Sequence, residues 1–388
     1  MTKFSLVGKA LKVDEYDEMK RHLRDISDET TEVYFGGNTF GIDACKAIAD
    51  SIKDKQNITK VSFDDIFTGR LKDEIPKSME HICEAVLTLK NATTVDFSDN
   101  AFGITTVDPL ADFLGKHVPL QHLYLTNNGF GPAAGTKIGE ALERLAEAKK
   151  EAKSDIKLET VICGRNRLEN GSMESWAKYL ATHGSVKNLQ LKQNGIRQDG
   201  IVALLEKGLS KCPKLEILDL QDNTFTKKGA KALAKVYSHW PELVELGISD
   251  CLLSGKGSVA LGEALRDGKP LEKLETLRLQ YNEINLDGAE ALYEALEKNL
   301  PAIKLLELNG NCFPEDEDVI EKIVKLFDSR GHGELDELDE MEEPDSDEEE
   351  EEESDDEEEE KEDDKEEKKD DTTVDDLADE LTKKANIE

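Results

Sequence analysis

Ten times along the chain the frame apolar-x-apolar-x-x returns, eight times closed by Asn, and no other feature restricts its fold as strongly. The copies close at Asn38, Ile66, Asn100, Asn128, Asn166, Asn194, Asn223, Cys251, Asn282 and Asn311. Successive closures lie 28, 34, 28, 38, 28, 29, 28, 31 and 29 residues apart. Two apolar residues two positions apart face the same side of a short strand, and an asparagine amide can tie down backbone groups where the chain then turns inward. The eight frame asparagines therefore read as structural, with Cys251 standing in at one closure and Ile66 breaking the pattern at another. After the turns come helical patterns such as GAKALAKVYSHW and GAEALYEALEKNL, with Ala and Leu at i, i+3, i+4 and i+7.

Each unit is thus strand, turn, helix, which is the signature of a leucine-rich repeat. Parallel strands stack ~4.8 Å apart while helices need roughly 8–10 Å, so the stack must bend with its strands inside. The expectation is an α/β leucine-rich-repeat horseshoe, ribonuclease-inhibitor-like in repeat length, with strands concave and helices convex. A solenoid needs caps. Met19, Leu23 and Ile26 supply one face of a first helix, and Val319, Ile320, Ile323, Val324 and Phe327 one face of a last helix. The folded body is expected to close near Arg330, giving a repeat domain over 1–333 and a tail over 334–388.

Charge separates the two parts. The chain has 388 residues and a net charge of −36, and residues 334–388 carry 33 acids against 6 bases, which leaves −9 for residues 1–333. Such a tail has too little apolar surface to pack, so disorder is expected, with a short helix over Val374, Leu377, Ala378 and Leu381 after a capping box at Thr373. The tail serves solubility or long-range attraction of a basic surface. The acidity argues against nucleic acid and for a basic protein partner. The N-terminus lacks the apolar stretch of a signal peptide and no 18 apolar residues run together, so neither secretion nor a membrane span is expected. The six cysteines form no CxxC pair, and the seven histidines are scattered, so no metal site is indicated. Motif searches for a hydrolase or a phosphate-binding loop are empty: GFGPAAGTK at Gly129–Lys137 has the wrong spacing for the latter.

Two irregular spacings must emerge as departures from the regular stack. The 38-residue one contains LERLAEAKKEAKSDIK and reads as a lengthened convex helix and loop. The 34-residue one contains Phe67-Thr68-Gly69-Arg70-Leu71-Lys72, and a Gly-Arg pair at a loop tip suggests a positioned guanidinium. The alternative is that Arg70 pairs with Asp64, Asp65 or Asp73. The residue before each closure should lie at the end of its strand, along one rim: Gly37, Asp65, Asp99, Asn127, Arg165, Gln193, Asp222, Asp250, Tyr281 and Gly310. A rim with aligned carboxylates suits a partner carrying Lys and Arg.

DIFTGRLKDEIP (Asp65–Pro76), SDNAFG (Ser98–Gly103), HLYLTNNGFGP (His122–Pro132), ICGRNRLENGSM (Ile162–Met173), LDLQDNTFT (Leu218–Thr226), LRLQYNEI (Leu277–Ile284) and the closing GELDELDEMEE go beyond generic repeat consensus. In this order they resemble the Ran GTPase-activating proteins. The resemblance implies a cytoplasmic or perinuclear activator of GTP hydrolysis by Ran, with no catalytic site or cofactor of its own, because Ran binds the GTP and Mg²⁺ and supplies the glutamine that orients water. It implies Ran-GTP as partner, with a Ran-binding protein as a third member, and a monomeric chain. Read from the residues alone, Arg70 is an arginine finger. The resemblance instead places Asn127 beside the nucleotide site and makes Arg70 and Lys72 charged contacts or loop organisers. Asp222 then contacts basic residues of Ran, and Asp65, Asp99, Asp250 and Tyr281 complete the partner-facing rim. Ending at Glu388, the chain resembles the shorter fungal-type form. The competing readings are a pure binder of the ribonuclease-inhibitor kind and an acidic histone chaperone, neither of which carries the FTGR loop.

Overall fold

The apolar pair in each repeat dictates the architecture. In the computed structural model, which describes residues 2–342, the first member of each pair forms one continuous buried row. It runs Val33, Val61, Val95, Leu123, Val161, Leu189, Leu218, Leu246, Leu277 and Leu306, each in register with the next. The second member forms a parallel row beginning Phe35, Phe63, Phe97 and Leu125. Its first three rings stack at 5.2 and 5.5 Å.

These rows belong to one parallel sheet of twelve strands lying in chain order, from Thr2–Ser5 to Glu334–Leu335. Parallel neighbours require a crossover, and a helix supplies it between nearly every pair. The crossover helices pack chiefly on their sequence neighbours, as a solenoid requires. The first and last strands extend the sheet at both ends beyond the ten repeats legible in the sequence. The strand Thr2–Ser5 pairs with Thr30–Tyr34, so the N-terminal cap opens on a strand before its helix Tyr16–His22. Met19 lies in that helix, whereas Leu23 and Ile26 follow it and bury from the turn beyond.

At the other end the helix Asp318–Arg330 buries Val319, Ile323 and Phe327, but Val324 is 43% exposed and faces solvent. The chain then returns: Glu334–Leu335 pairs with Leu305–Glu307, and Leu335, Leu338 and Met341 pack on the core. Asp336 accepts from the backbone N–H groups of Leu308 and Asn309. The compact unit accordingly runs to Glu342, past the expected boundary at residue 333. The expected tail disorder beyond residue 342 and the short helix near Thr373 lie outside the described residues.

The asparagines occupy the turn inside the stack, and all eight are buried. Asn128 is representative. Its Nδ2 donates to Leu125 O in its own repeat and to Phe97 O in the one before, at 2.9 and 3.0 Å. Its Oδ1 accepts the backbone N–H of Asn100 at 2.8 Å. Each amide thus joins two repeats where strand bonding has ended. Cys251 does the donor half of this through weaker thiol bonds to Leu220 O and Ser249 O, both at 3.4 Å. Ile66 has no polar group to offer, and its own N–H is taken by Asn100 Oδ1.

The 38-residue spacing becomes a 21-residue helix, Gly131–Glu151, with a loop folded back beneath its end. Lys149 holds that loop: its buried ammonium donates to Val118 O, Leu120 O and Ile156 O at 2.6, 2.7 and 3.1 Å. Burial, aided by the nearby charge of Lys157, lowers its pKa to about 8.

Candidate functional site

The rim follows from a backbone property that the sequence pattern does not display. All ten rim residues, Gly37 through Gly310, adopt a left-handed conformation with φ between 46 and 72°. They are not strand ends. The strand His122–Tyr124 closes before Asn127, and the rim residue sits in the turn that follows. Left-handed backbone disfavours side chains other than Gly, Asn and Asp, yet Arg165, Gln193 and Tyr281 adopt it here. What holds it is a ladder between repeats. The N–H of Asp99 donates to Thr126 O at 2.8 Å, that of Asn127 to Gly164 O at 2.9 Å, and that of Asp222 to Ser249 O at 3.0 Å. From Gly37 to Tyr281 the rim backbone is therefore fixed by the next repeat, and at Asp99, Asn127, Asp222 and Asp250 it carries an exposed side chain.

Asn127 and Asn128 show the consequence. Asn128 is fully buried in the asparagine ladder, whereas Asn127 is exposed. Asn127 Nδ2 donates to Asp99 Oδ1 at 2.8 Å. Lys72 joins them: Lys72, Asp99 and Asn127 line one open cleft with Ile104 and Gly129, of about 520 Å³. Three residues taken from separate repeats are thus brought to one place.

Arg70 is oriented neither as a finger nor toward the acids of its own loop. Its side chain is only 8% exposed and points into the N-terminal cap, where it pairs with Asp14. Its Nη2 also donates to Thr39 O at 3.1 Å and to Val13 O at 3.3 Å. The partner is none of Asp64, Asp65 and Asp73, and as it stands the guanidinium does not reach outward as a finger. Gly41 makes room for the pair: a Cβ there would lie 2.6 Å from Asp14 Oδ1 and 3.3 Å from Arg70 Nη1. Asp65 is also committed to this loop, its Oδ1 accepting from Thr68 Oγ1 at 2.6 Å. The arrangement fixes the loop and leaves Lys72 as the cation facing the cleft.

Farther along the rim, Asp222 and Asp250 are exposed and line a second cleft with Arg167, Glu169 and Gln193. Tyr281 leans over Gly310, and its hydroxyl is bonded to Glu340 of the returning C-terminal segment. That bond raises the phenol pKa and commits the hydroxyl within the chain. Sequence reasoning did not find Asp14, which lies 56 residues from Arg70 and belongs to no motif. Nor did it single out Arg167, which follows a frame asparagine rather than preceding one. Among the described residues no three His, Cys, Asp or Glu side chains gather to hold a metal. Among them, too, no helix is long and apolar enough to cross a membrane.

Comparisons with known proteins fit this geometry. A Leucine Rich repeat family model matches residues 211–234 and 271–292. Among solved structures, a chain of the yeast Rad7–Elc1 complex superposes with a TM-score of 0.51 at 13% identity, covering 81% of this chain and 71% of that one, which shows the fold alone. Among curated proteins, Ran GTPase-activating protein 1 of Saccharomyces cerevisiae is 40% identical over 335 residues, spanning 84% of this chain and 82% of the yeast protein. The Ran GTPase-activating protein of Drosophila melanogaster is 34% identical over 308 residues, 78% of this chain and 51% of the fly protein. With 40% identity sustained over 82% of the yeast protein, the chain belongs to the family of Ran GTPase-activating proteins.

Proposed function

We propose that this chain binds Ran-GTP and accelerates hydrolysis of its GTP, acting as an activator and not as an independent enzyme. The observation that carries the reading is the cleft in which Lys72, Asp99 and Asn127 converge on a rim of fixed backbone. Ran holds the nucleotide and Mg²⁺ and provides the residue that orients water. A regulator then has only to order that machinery, which favours a preorganised polar group over a reactive one. Asn127 is that group. Lys72 meets acidic or phosphate oxygens at the same interface, and Asp222 and Asp250 meet basic side chains of Ran farther along the rim. Arg70 acts through its loop: the ion pair with Asp14 and two backbone carbonyls holds the segment that carries Lys72.

The chain works as a monomer on Ran-GTP, together with a Ran-binding protein, and its sequence from residue 343 to 388 is strongly acidic. Acting in the cytoplasm, it keeps Ran there in the GDP form and gives nuclear transport its direction. Substoichiometric chain added to GTP-loaded Ran should release phosphate far faster than Ran alone. An unchanged rate would refute the proposal.

A further inference from the structure

The Asn127–Asp99 hydrogen bond has a chemical direction. A carboxylate at neutral pH accepts hydrogen bonds and cannot donate them. Asn127 therefore turns its amino group to Asp99, at 2.8 Å, and its carbonyl oxygen away. Both residues are exposed side chains on left-handed backbone, φ 61° at Asp99 and 56° at Asn127, and both backbones are pinned by the following repeat. Among the described residues no other two neighbouring rim residues share a side-chain hydrogen bond. Tolerance of left-handed backbone does not explain the pairing, since Arg165, Gln193 and Tyr281 occupy the same rim position.

We propose that Asp99 is a positioning residue: by taking the Asn127 amino group it makes the rim present Asn127 Oδ1 as a hydrogen-bond acceptor to a donor on the bound G protein. This rests on the functional reading above and assigns Asp99 a role other than direct contact with a basic side chain of Ran. Without Asp99 the carboxamide of an exposed asparagine turns freely and offers donor and acceptor alike. The geometry at the reacting centre is then lost although every atom of Asn127 remains.

A double-mutant cycle in single-turnover hydrolysis of GTP-loaded Ran tests this, with the full chain and with melting temperature measured for each variant. Asp99→Ala should cut the maximal stimulated rate about tenfold and leave the half-saturating concentration nearly unchanged. In the Asn127→Ala background the same change should cost nothing further. The exchange pair Asp99→Asn with Asn127→Asp restores the bond with its donor on the other side and still points an oxygen outward, so it should recover activity above either single variant. Losses that multiply, a change in half-saturation alone, full activity of Asp99→Ala, or no recovery in the exchange pair would overturn the assignment. With the wild-type chain active, any of these outcomes leaves the activator reading standing. A wild-type chain without effect on Ran overturns both.

Discussion

Asn127 and Asn128 are adjacent in the chain and opposite in surroundings, so they separate function from stability at single-residue resolution. Asn128→Ala removes an amide that bonds two repeats: the buried Asn100 N–H loses its acceptor, and Phe97 O and Leu125 O each lose one of the two amide donors they accept from. It should cost about 2–4 kcal/mol and lower the melting temperature, while whatever chain stays folded keeps its activity. Asn127→Ala should leave the melting temperature within about 1 °C of wild type, as surface changes do, and sharply reduce stimulated hydrolysis of Ran-bound GTP. If both variants behaved alike, the assignment of frame and rim would be wrong. Arg70 invites a second comparison. Since its guanidinium is tied to Asp14, Arg70→Ala and Asp14→Ala should reduce activity by similar factors through the same loosened loop. Kinetics showing a much larger loss for Arg70→Ala would indicate direct contact with the nucleotide. Lysine cannot reproduce a guanidinium shared between a carboxylate and two carbonyls, so Arg70→Lys should rescue little.

At the scale of elements, two histidines, the buried His117 and the part-buried His183, pack around the long helix Gly131–Glu151. Burial lowers the pKa of His117 to about 4, helped by the charge of Lys149, and His117 Nε2 donates to Ala92 O at 2.7 Å. His183 is likewise lowered to about 4 by burial, with Nε2 donating to Leu142 O at 2.8 Å. Between about pH 4 and the ordinary value of 6.5 the unfolded chain binds more protons than the folded one. Stability must therefore climb with pH across that window and fall as pH drops through it. Denaturant titrations from pH 7 to pH 4 should show this fall. Replacing both histidines with glutamine, which keeps an N–H donor and does not titrate, should flatten it. The C-terminal return makes a separate prediction. A chain ending at residue 333 loses the strand Glu334–Leu335 and the packing of Leu335, Leu338 and Met341, and should melt at least about 3 °C below one ending at residue 342.

For the molecule as a whole, period and pattern made most of the architecture legible. Ten closures at near-constant spacing carry strand register, buried rows and the asparagine ladder, because one local rule repeated ten times fixes them all. The first and last strands escaped because they lack the closing asparagine: Thr2–Ser5 and Glu334–Leu335 pair with the sheet without repeating its motif. Asp14 as the partner of Arg70 was beyond reach for the same physical reason, since the contact is made by folding the cap onto the loop and leaves no local trace. The rim positions were legible as a row, but their left-handed backbone was not, because it is imposed by hydrogen bonds from the next repeat and not by residue preference. Charge is the other whole-molecule property. A net −36, most of it in residues 334–388, should make association with a basic surface fall steeply as salt rises.

The central claim is that a rim of fixed backbone supplies Asn127 to the active site of a G protein that does its own chemistry. Phosphate release from GTP-loaded Ran, timed with catalytic amounts of the wild-type chain and of Asn127→Ala, tests it most directly. The account predicts many turnovers per wild-type molecule, and a large loss for the variant at saturating concentration with its fold intact. Equal rates for the two proteins would contradict it.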